Sequence, residues 1–280
     1  MTVTSATTPL RSQNYRVNGN DPVLGVTLAT FNLKSETGDS TLLTVNSTTT
    51  ASGTLPTTLY LYQGSTQLSS KTVGTNGVVV FNNLDTASGN VVSQNTIQTY
   101  TIKADFPANT ANATFASTTV GTVIYQTPNG NTDTAAGSVV TSANQYVYTK
   151  AAVIALAGTP TITATNASIT GGTSSVTAIF PLSITAQGGN VILPGNADVT
   201  VTFSNGQTAT ALNTVVATIP NNDIADGSTA NVTVTAKSVG FAAGLYNAAI
   251  TSIKWNAGNG TTTQTYGLED FKTASAANQQ

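Results

Sequence analysis

Eleven carboxylates, seven lysines and two arginines are the side chains a reaction near neutral pH could draw on; the chain has no histidine and no cysteine. Without imidazole or thiol, the Ser-His and Cys-His nucleophile systems, imidazole metal sites and the usual proton shuttle are excluded. No serine stands three residues before any lysine, and no G-x-S-x-G, phosphate loop or dinucleotide fingerprint occurs. What remains is a carboxylate pair of the glycosidase kind. Of Asp21, Glu36, Asp39, Asp85, Asp105, Asp133, Asp198, Asp223, Asp226, Glu269 and Asp270, only Asp105 and Asp198 fall on strand-like runs, far apart in the chain. The expectation is no catalytic residue, no cofactor-binding motif and no enzyme.

Weaker constellations suggest binding or modification. In "NNDIADGS" (221–228), Asn222, Asp223 and Asp226 are oxygen donors of the kind calcium takes in loops. Their spacing is not that of an EF-hand, and the same residues suit an Asx-type turn into the next strand. Sequons at Asn46, Asn112, Asn166, Asn231 and Asn259 are acceptor patterns for N-glycans. A chain this rich in Asn, Ser and Thr also produces such triplets by chance. Tyr60 with Tyr62, and Tyr146 with Tyr148, alternate along runs and would form a stacking platform for a sugar, or sit half-buried as structural residues. Lys103 and Lys237 lie near strand ends, where a lysine either joins an asparagine on a neighbouring strand or guards a sheet edge.

Composition says what must carry these residues. Only 7% of the 280 residues are charged, against about 25% in ordinary soluble domains, while 39% are hydrophobic. Thr and Ser, 55 and 23 residues, take the polar positions. Thr is β-branched and suits a pleated surface with one wet face. The net charge of −2 and the scattered cations leave no footprint for nucleic acid. The longest apolar run, "AAVIALAG" (151–158), is far short of the ~20 residues of a membrane helix, so no membrane insertion is expected.

Helical periodicity is nearly absent, and short alternating runs recur between Gly, Asn, Asp and Pro clusters, as many short strands require. In "TYTIKADF" (99–106), Tyr100, Ile102, Ala104 and Phe106 share one face. In "SVTAIFPLSITAQGGN" (175–190), Val176, Ala178, Phe180, Leu182, Ile184 and Ala186 do the same, marking a central strand. Pro181 lacks a donor and predicts a bulge or an edge at that point. After "AGTPT" (157–161) a second series begins, and "TIQTYTIKADF" rhymes with "TANVTVTAKSVGF". The pattern predicts an all-β chain of two tandem antiparallel β-sandwich domains of Ig-like type. The expected divisions are an extended N-terminal arm at 1–22, sandwiches at 23–158 and 159–272, and a C-terminal tail at 273–280. The arm is either mobile or adds a strand to a neighbouring subunit.

The succession "LGVTLATFNLKSETGDSTLLTVN", "LPTTLYLYQGSTQL", "GVVVFNN" and "TIQTYTIKADF" resembles Ig-like modules of secreted surface proteins of bacteria and archaea. It looks like the units of surface-layer and filament or pilus subunits and of envelope proteins of small-genome bacteria. The likeness covers 24–106, and 160–255 more loosely, and transfers no functional residue. It implies an extracellular, cell-surface structural subunit that self-assembles into a filament or layer as a homo-oligomer or polymer. A surface adhesin or carbohydrate-binding module, with a glycan partner, is the alternative.

Overall fold

The structure is a computed structural model. It describes residues 1–6, 10, 12–16, 21–87, 89–108, 113–137, 139–165, 175–193, 199–205, 211–217, 222–240, 244–257, 261–267 and 270–278, with only the backbone described at 113–117, 211–217, 222 and 278. The chain divides into two units, Met1–Thr149 and Lys150–Gln280. Apart from one short 3-10 turn, Leu84–Thr86, every described element is a strand.

In the first unit, one sheet runs in the order Ala136–Gly137, Thr2–Ser5, Val23–Lys34, Ile97–Phe106, Thr58–Gln63 and Thr66–Thr72. The other runs Gln13–Arg16, Gln145–Tyr148, Ala113–Gln126, Ser40–Ser52 and Val78–Phe81. Short strands Thr132–Thr134 and Val140–Thr141 also flank Ala113–Gln126, and Val91–Val92 flanks Ser40–Ser52. With Thr2–Ser5, Val23–Lys34, Ser40–Ser52, Thr58–Gln63, Ile97–Phe106, Ala113–Gln126 and Gln145–Tyr148 lettered A to G in chain order, one sheet contains A-B-E-D and the other G-F-C, the Ig-like arrangement. The rule that alternate residues face the core explains Ile97–Phe106, where Tyr100, Ile102, Ala104 and Phe106 are buried. Val23–Lys34 needs one more device. Val26 and Leu28 are out of phase with Ala29, Phe31 and Leu33, yet all five are buried. A register shift between Thr27 and Ala29 inserts one residue, so Val26, Ala29 and Phe31 oppose Ala104, Ile102 and Tyr100 on the same face. The Phe31 and Tyr100 rings stack there at 5.6 Å.

The first 22 residues do not form the extended arm expected from their low apolar content. Thr2–Ser5 pairs antiparallel with Val23–Lys34 and parallel with Ala136–Gly137, and Gln13–Arg16 pairs parallel with Gln145–Tyr148. Backbone hydrogen bonds to both sheets of its own unit hold this segment, which is why side-chain hydrophobicity gave no sign of it. Arg11 lies outside the described residues.

The boundary also moves. Gln145–Tyr148 closes the first unit and Ala151–Leu156 opens the second, so the division falls at 149/150 and not at 158. The Gly-Pro cluster at 157–160 is instead a break within one edge. Ala151–Leu156 pairs with residues 182–187 of Ser175–Gln187, and Thr161–Thr165 pairs with 175–179 of the same strand. Pro181 stands opposite that break, its carbonyl accepting Ala157 N–H at 2.9 Å. Its missing donor therefore faces a gap in the flanking edge, while pairing with Thr229–Val239 on the other side continues through Thr233.

Ser175–Gln187 is central in its sheet, and its six alternating apolar residues are fully buried. The facing sheet runs Ala211–Ala217, Val199–Asn205, Gly244–Asn256, Val191–Leu193 and Asn222–Ile224. Thr261–Thr265 and Ala276–Asn278 both pair with Gly244–Asn256, and Lys272 bridges to Ala249 between them. The segment expected as a C-terminal tail at 273–280 is thus paired through Asn278, with Thr273 buried and bonded both ways to Ala248. The rhyming strands Ile97–Phe106 and Thr229–Val239 pair antiparallel with Val23–Lys34 and with Ser175–Gln187, and Ile97–Phe106 is paired on its other flank as well, with Thr58–Gln63.

Candidate functional site

Strand register decides which candidate residues reach solvent. Tyr146 and Tyr148, proposed as part of a stacking platform, are 1% and 3% exposed and stack on each other at 5.9 Å. Their strand is flanked on both sides, by Gln13–Arg16 and Ala113–Gln126, which removes them from any ligand surface. Tyr60 and Tyr62 are half-buried on the outer face of the first sheet, with ring centroids 6.5 Å apart. Lys103, one strand over, sets its Nζ 4.8 Å from the Tyr62 centroid. The Tyr60 hydroxyl donates to Asp105 Oδ2 at 2.5 Å, and the other Asp105 oxygen accepts Gly25 N–H at 2.8 Å. This quartet ties Thr58–Gln63, Ile97–Phe106 and the start of Val23–Lys34 across the sheet. Gly25 has φ +68 and nothing within 4 Å of a built Cβ, so the turn toward Asp105 there needs glycine's freedom and not space.

Several of the other carboxylates are occupied in the same local way. Asp39 Oδ1 accepts Gln94 N–H at 2.8 Å, Asp133 accepts Tyr125 O–H at 3.2 Å, and Asp270 accepts Gly267 N–H at 2.7 Å. Glu36 pairs with Lys34 at 3.0 Å on the surface. Asp198 and Glu269 lie outside the described residues. Among the described residues no three His, Cys, Asp or Glu side chains come together. The calcium candidates are split by the fold. Asn222–Ile224 is a strand in which Asp223 opposes Ile192, while exposed Asp226 sits in the following turn, its N–H donating to Asn190 at 3.1 Å. Residues 225–228 form a backbone turn closed by Ser228 N–H donating to the Ala225 carbonyl at 2.9 Å, and the Asn222 side chain lies outside the description. A cavity of about 110 Å³ lined by Ser5, Ala6, Leu10, Thr30 and residues 140–143 is well below the ~300 Å³ of a small-molecule site.

Of the sequons, Asn231 is exposed on Thr229–Val239. Asn46 is not presented as an acceptor: it lies mid-strand between Ala113–Gln126 and Val78–Phe81, and its Oδ1 is buried. Asn112, Asn166 and Asn259 fall outside the described residues. Lys237 is exposed opposite Thr177, a position that suits an edge guard.

Four tyrosines carry the resolved electrostatics. Burial pushes the Tyr100, Tyr15 and Tyr125 phenols up, and the Asp105 hydrogen bond does so for Tyr60. A phenol whose folded pKa is raised stabilises the fold below its unfolded pKa, about 10, and that contribution is lost as pH rises above it. With no histidine, unfolding free energy is expected to stay level from pH 6 to 9 and fall beyond about 10. Chemical denaturation across that range checks it. Tyr100→Phe should flatten the alkaline limb by up to about 1.4 kcal/mol per pH unit.

No family model and no curated protein matches the chain. Eighteen chains of solved structures do. One, described as "Crystal structure of CBD12 from CALX1.2", is 12% identical over 94% of this chain and 83% of that one, with a TM-score of 0.23. A likeness that loose carries no argument here; the Ig-like reading rests on the strand order. Among the described residues no helix is long and apolar enough to cross a membrane.

Proposed function

We propose that the chain is a non-catalytic structural subunit of an extracellular, cell-surface assembly, a filament or a layer, whose copies associate through sheet edges. The observation that carries this reading is the combination of open lateral edges with outer faces of hydroxyls and very little charge. The outer face of Thr229–Val239 illustrates the composition: Val232, Val234, Ala236 and Ser238 face inward, while Thr229, Asn231, Thr233 and Thr235 face out beside a single charge, Lys237. Low charge lets identical surfaces approach without repulsion, and unpaired edges supply backbone donors and acceptors. Donation of an N-terminal arm has no part in it, since both strands of that segment pair within their own unit. The alternative, a surface module that binds carbohydrate, keeps only Tyr60 and Tyr62 of its four tyrosines, with Lys103 over one ring.

Negative-stain microscopy of the purified chain at increasing concentration tests the proposal. Polymers or sheets are expected. Separate particles at every concentration, together with glycan binding that Tyr60→Ala and Tyr62→Ala abolish, would replace it with the alternative.

A further inference from the structure

The edges of the first unit are not equivalent. Thr66–Thr72 includes Lys71, Gln13–Arg16 ends on Arg16, and Thr132–Thr134 includes Asp133. Ala136–Gly137, Val140–Thr141 and Val91–Val92 are two residues each. Charges, bulges and shortness are the devices by which sheets blunt their edges. Val78–Phe81 has none of them. It is four uncharged residues, three of them valine, paired with Ser40–Ser52 without a register shift.

Its backbone orientation follows from one hydrogen bond. Gly77 C=O accepts Thr49 N–H at 2.9 Å while its own N–H turns back to the Gly74 carbonyl, so in the strand that follows Val79 and Phe81 turn their polar groups toward Ser40–Ser52. Val78 and Val80 therefore aim theirs away from the sheet. Val78 N–H is taken by Asn76 Oδ1 at 3.2 Å, which leaves the Val78 carbonyl and both polar groups of Val80 facing outward. The side chains alternate in step, with Val79 and Phe81 in the core and Val78 and Val80 42% and 44% exposed. Val91, 43% exposed, extends the row along the same side of Ser40–Ser52. Lys71, the nearest lysine to this edge in sequence, is turned onto Asn82 Oδ1 at 2.7 Å.

We propose that Val78–Phe81 is the edge through which two copies of this chain pair, antiparallel about a two-fold axis at Val79. Under that axis Val78 of each copy opposes Val80 of the other, valine meets valine on the outer face, and no charge meets its like. The two second sheets join into one continuous sheet. The occupant is a second copy because the edge matches itself: the groups it offers are the groups it lacks, and the segment from Val73 to Leu84 carries no charge that would select a different partner. Four residues bury far less than the ~800 Å² per partner of a stable dimer, and a two-fold contact closes on a pair, so the contact acts together with other contacts of an assembly and is concentration-dependent.

This inference rests on the proposed function, and the test separates the two. Val80→Lys places a charge on the exposed row, and Val80→Pro removes an outward donor without adding charge. Both variants, with thermal unfolding compared with the parent, are expected to raise the concentration needed for assembly at least about tenfold. Thr235→Lys, on an edge strand of the second unit that exposed Lys237 already guards, should leave that concentration unchanged. If both Val80 variants assemble like the parent, the edge assignment is wrong while the proposed function stands. If the parent stays monomeric at all concentrations, both fall. Should Val80→Pro misfold, Val80→Lys decides alone.

Discussion

Phe180→Ala is expected to lower the unfolding free energy of the second unit by about 3–5 kcal/mol. Phe180 is fully buried at the middle of Ser175–Gln187, between Ala178 and Leu182 on the same face. Truncation removes a ring from a core whose strand is fixed on both flanks, by Thr229–Val239 and by the broken edge 151–165. Close-packed walls held by two ladders relax little, so the cavity term adds to the lost burial. Ile179→Ala, one residue away, is the control: its side chain is 38% exposed on the other face and should cost far less. Denaturant titration followed by Trp255 fluorescence reads both, because Trp255 is buried in the same unit. Equal losses for Phe180 and Ile179 would mean that the strand faces are wrongly assigned.

Gly77→Ala should cost the first unit roughly 3–5 kcal/mol. Gly77 has φ +71, and a Cβ built there falls 2.0 Å from the Thr49 carbonyl oxygen, a backbone atom with no freedom to step aside. The same glycine accepts the Thr49 N–H, so relieving the clash breaks the hydrogen bond that seats Val78–Phe81. Gly130→Ala separates backbone strain from crowding. Its φ is +82 but nothing lies within 4 Å, and only the ~1–2 kcal/mol of the left-handed conformation is expected. Thermal unfolding of the two variants beside the parent checks the difference, and equal costs would contradict the close approach at Thr49.

Alternation made the strands readable wherever one face is dry. Ile97–Phe106 and Ser175–Gln187 bury the residues their spacing picks out, and the rhyming runs are strands at 97–106 and 229–239. Pairing partners are not written in a strand's own residues. Thr2–Ser5 and Ala276–Asn278 are held by backbone bonds to distant strands, and with only Val3 among their described side chains reaching the core those side chains gave little sign of it. "AGTPT" has the composition of a linker, but the same Gly and Pro also let an edge strand break opposite Pro181. Tyr146 and Tyr148 alternate as well as Tyr60 and Tyr62 do. Tyr146 and Tyr148 have a strand on each flank, one of them from the segment expected as an arm. The bulge at Thr27–Ala29 is foreshadowed by two apolar phases in one run, which a single-period reading divides between two faces.

Sedimentation velocity of the intact chain over a rising concentration series, at low and at high salt, tests the central claim most directly. Surfaces that meet through hydroxyls, valines and open backbone groups, with few charges to screen, predict species that grow with concentration and change little with salt. A single monomer boundary throughout, or association that salt abolishes, would contradict it.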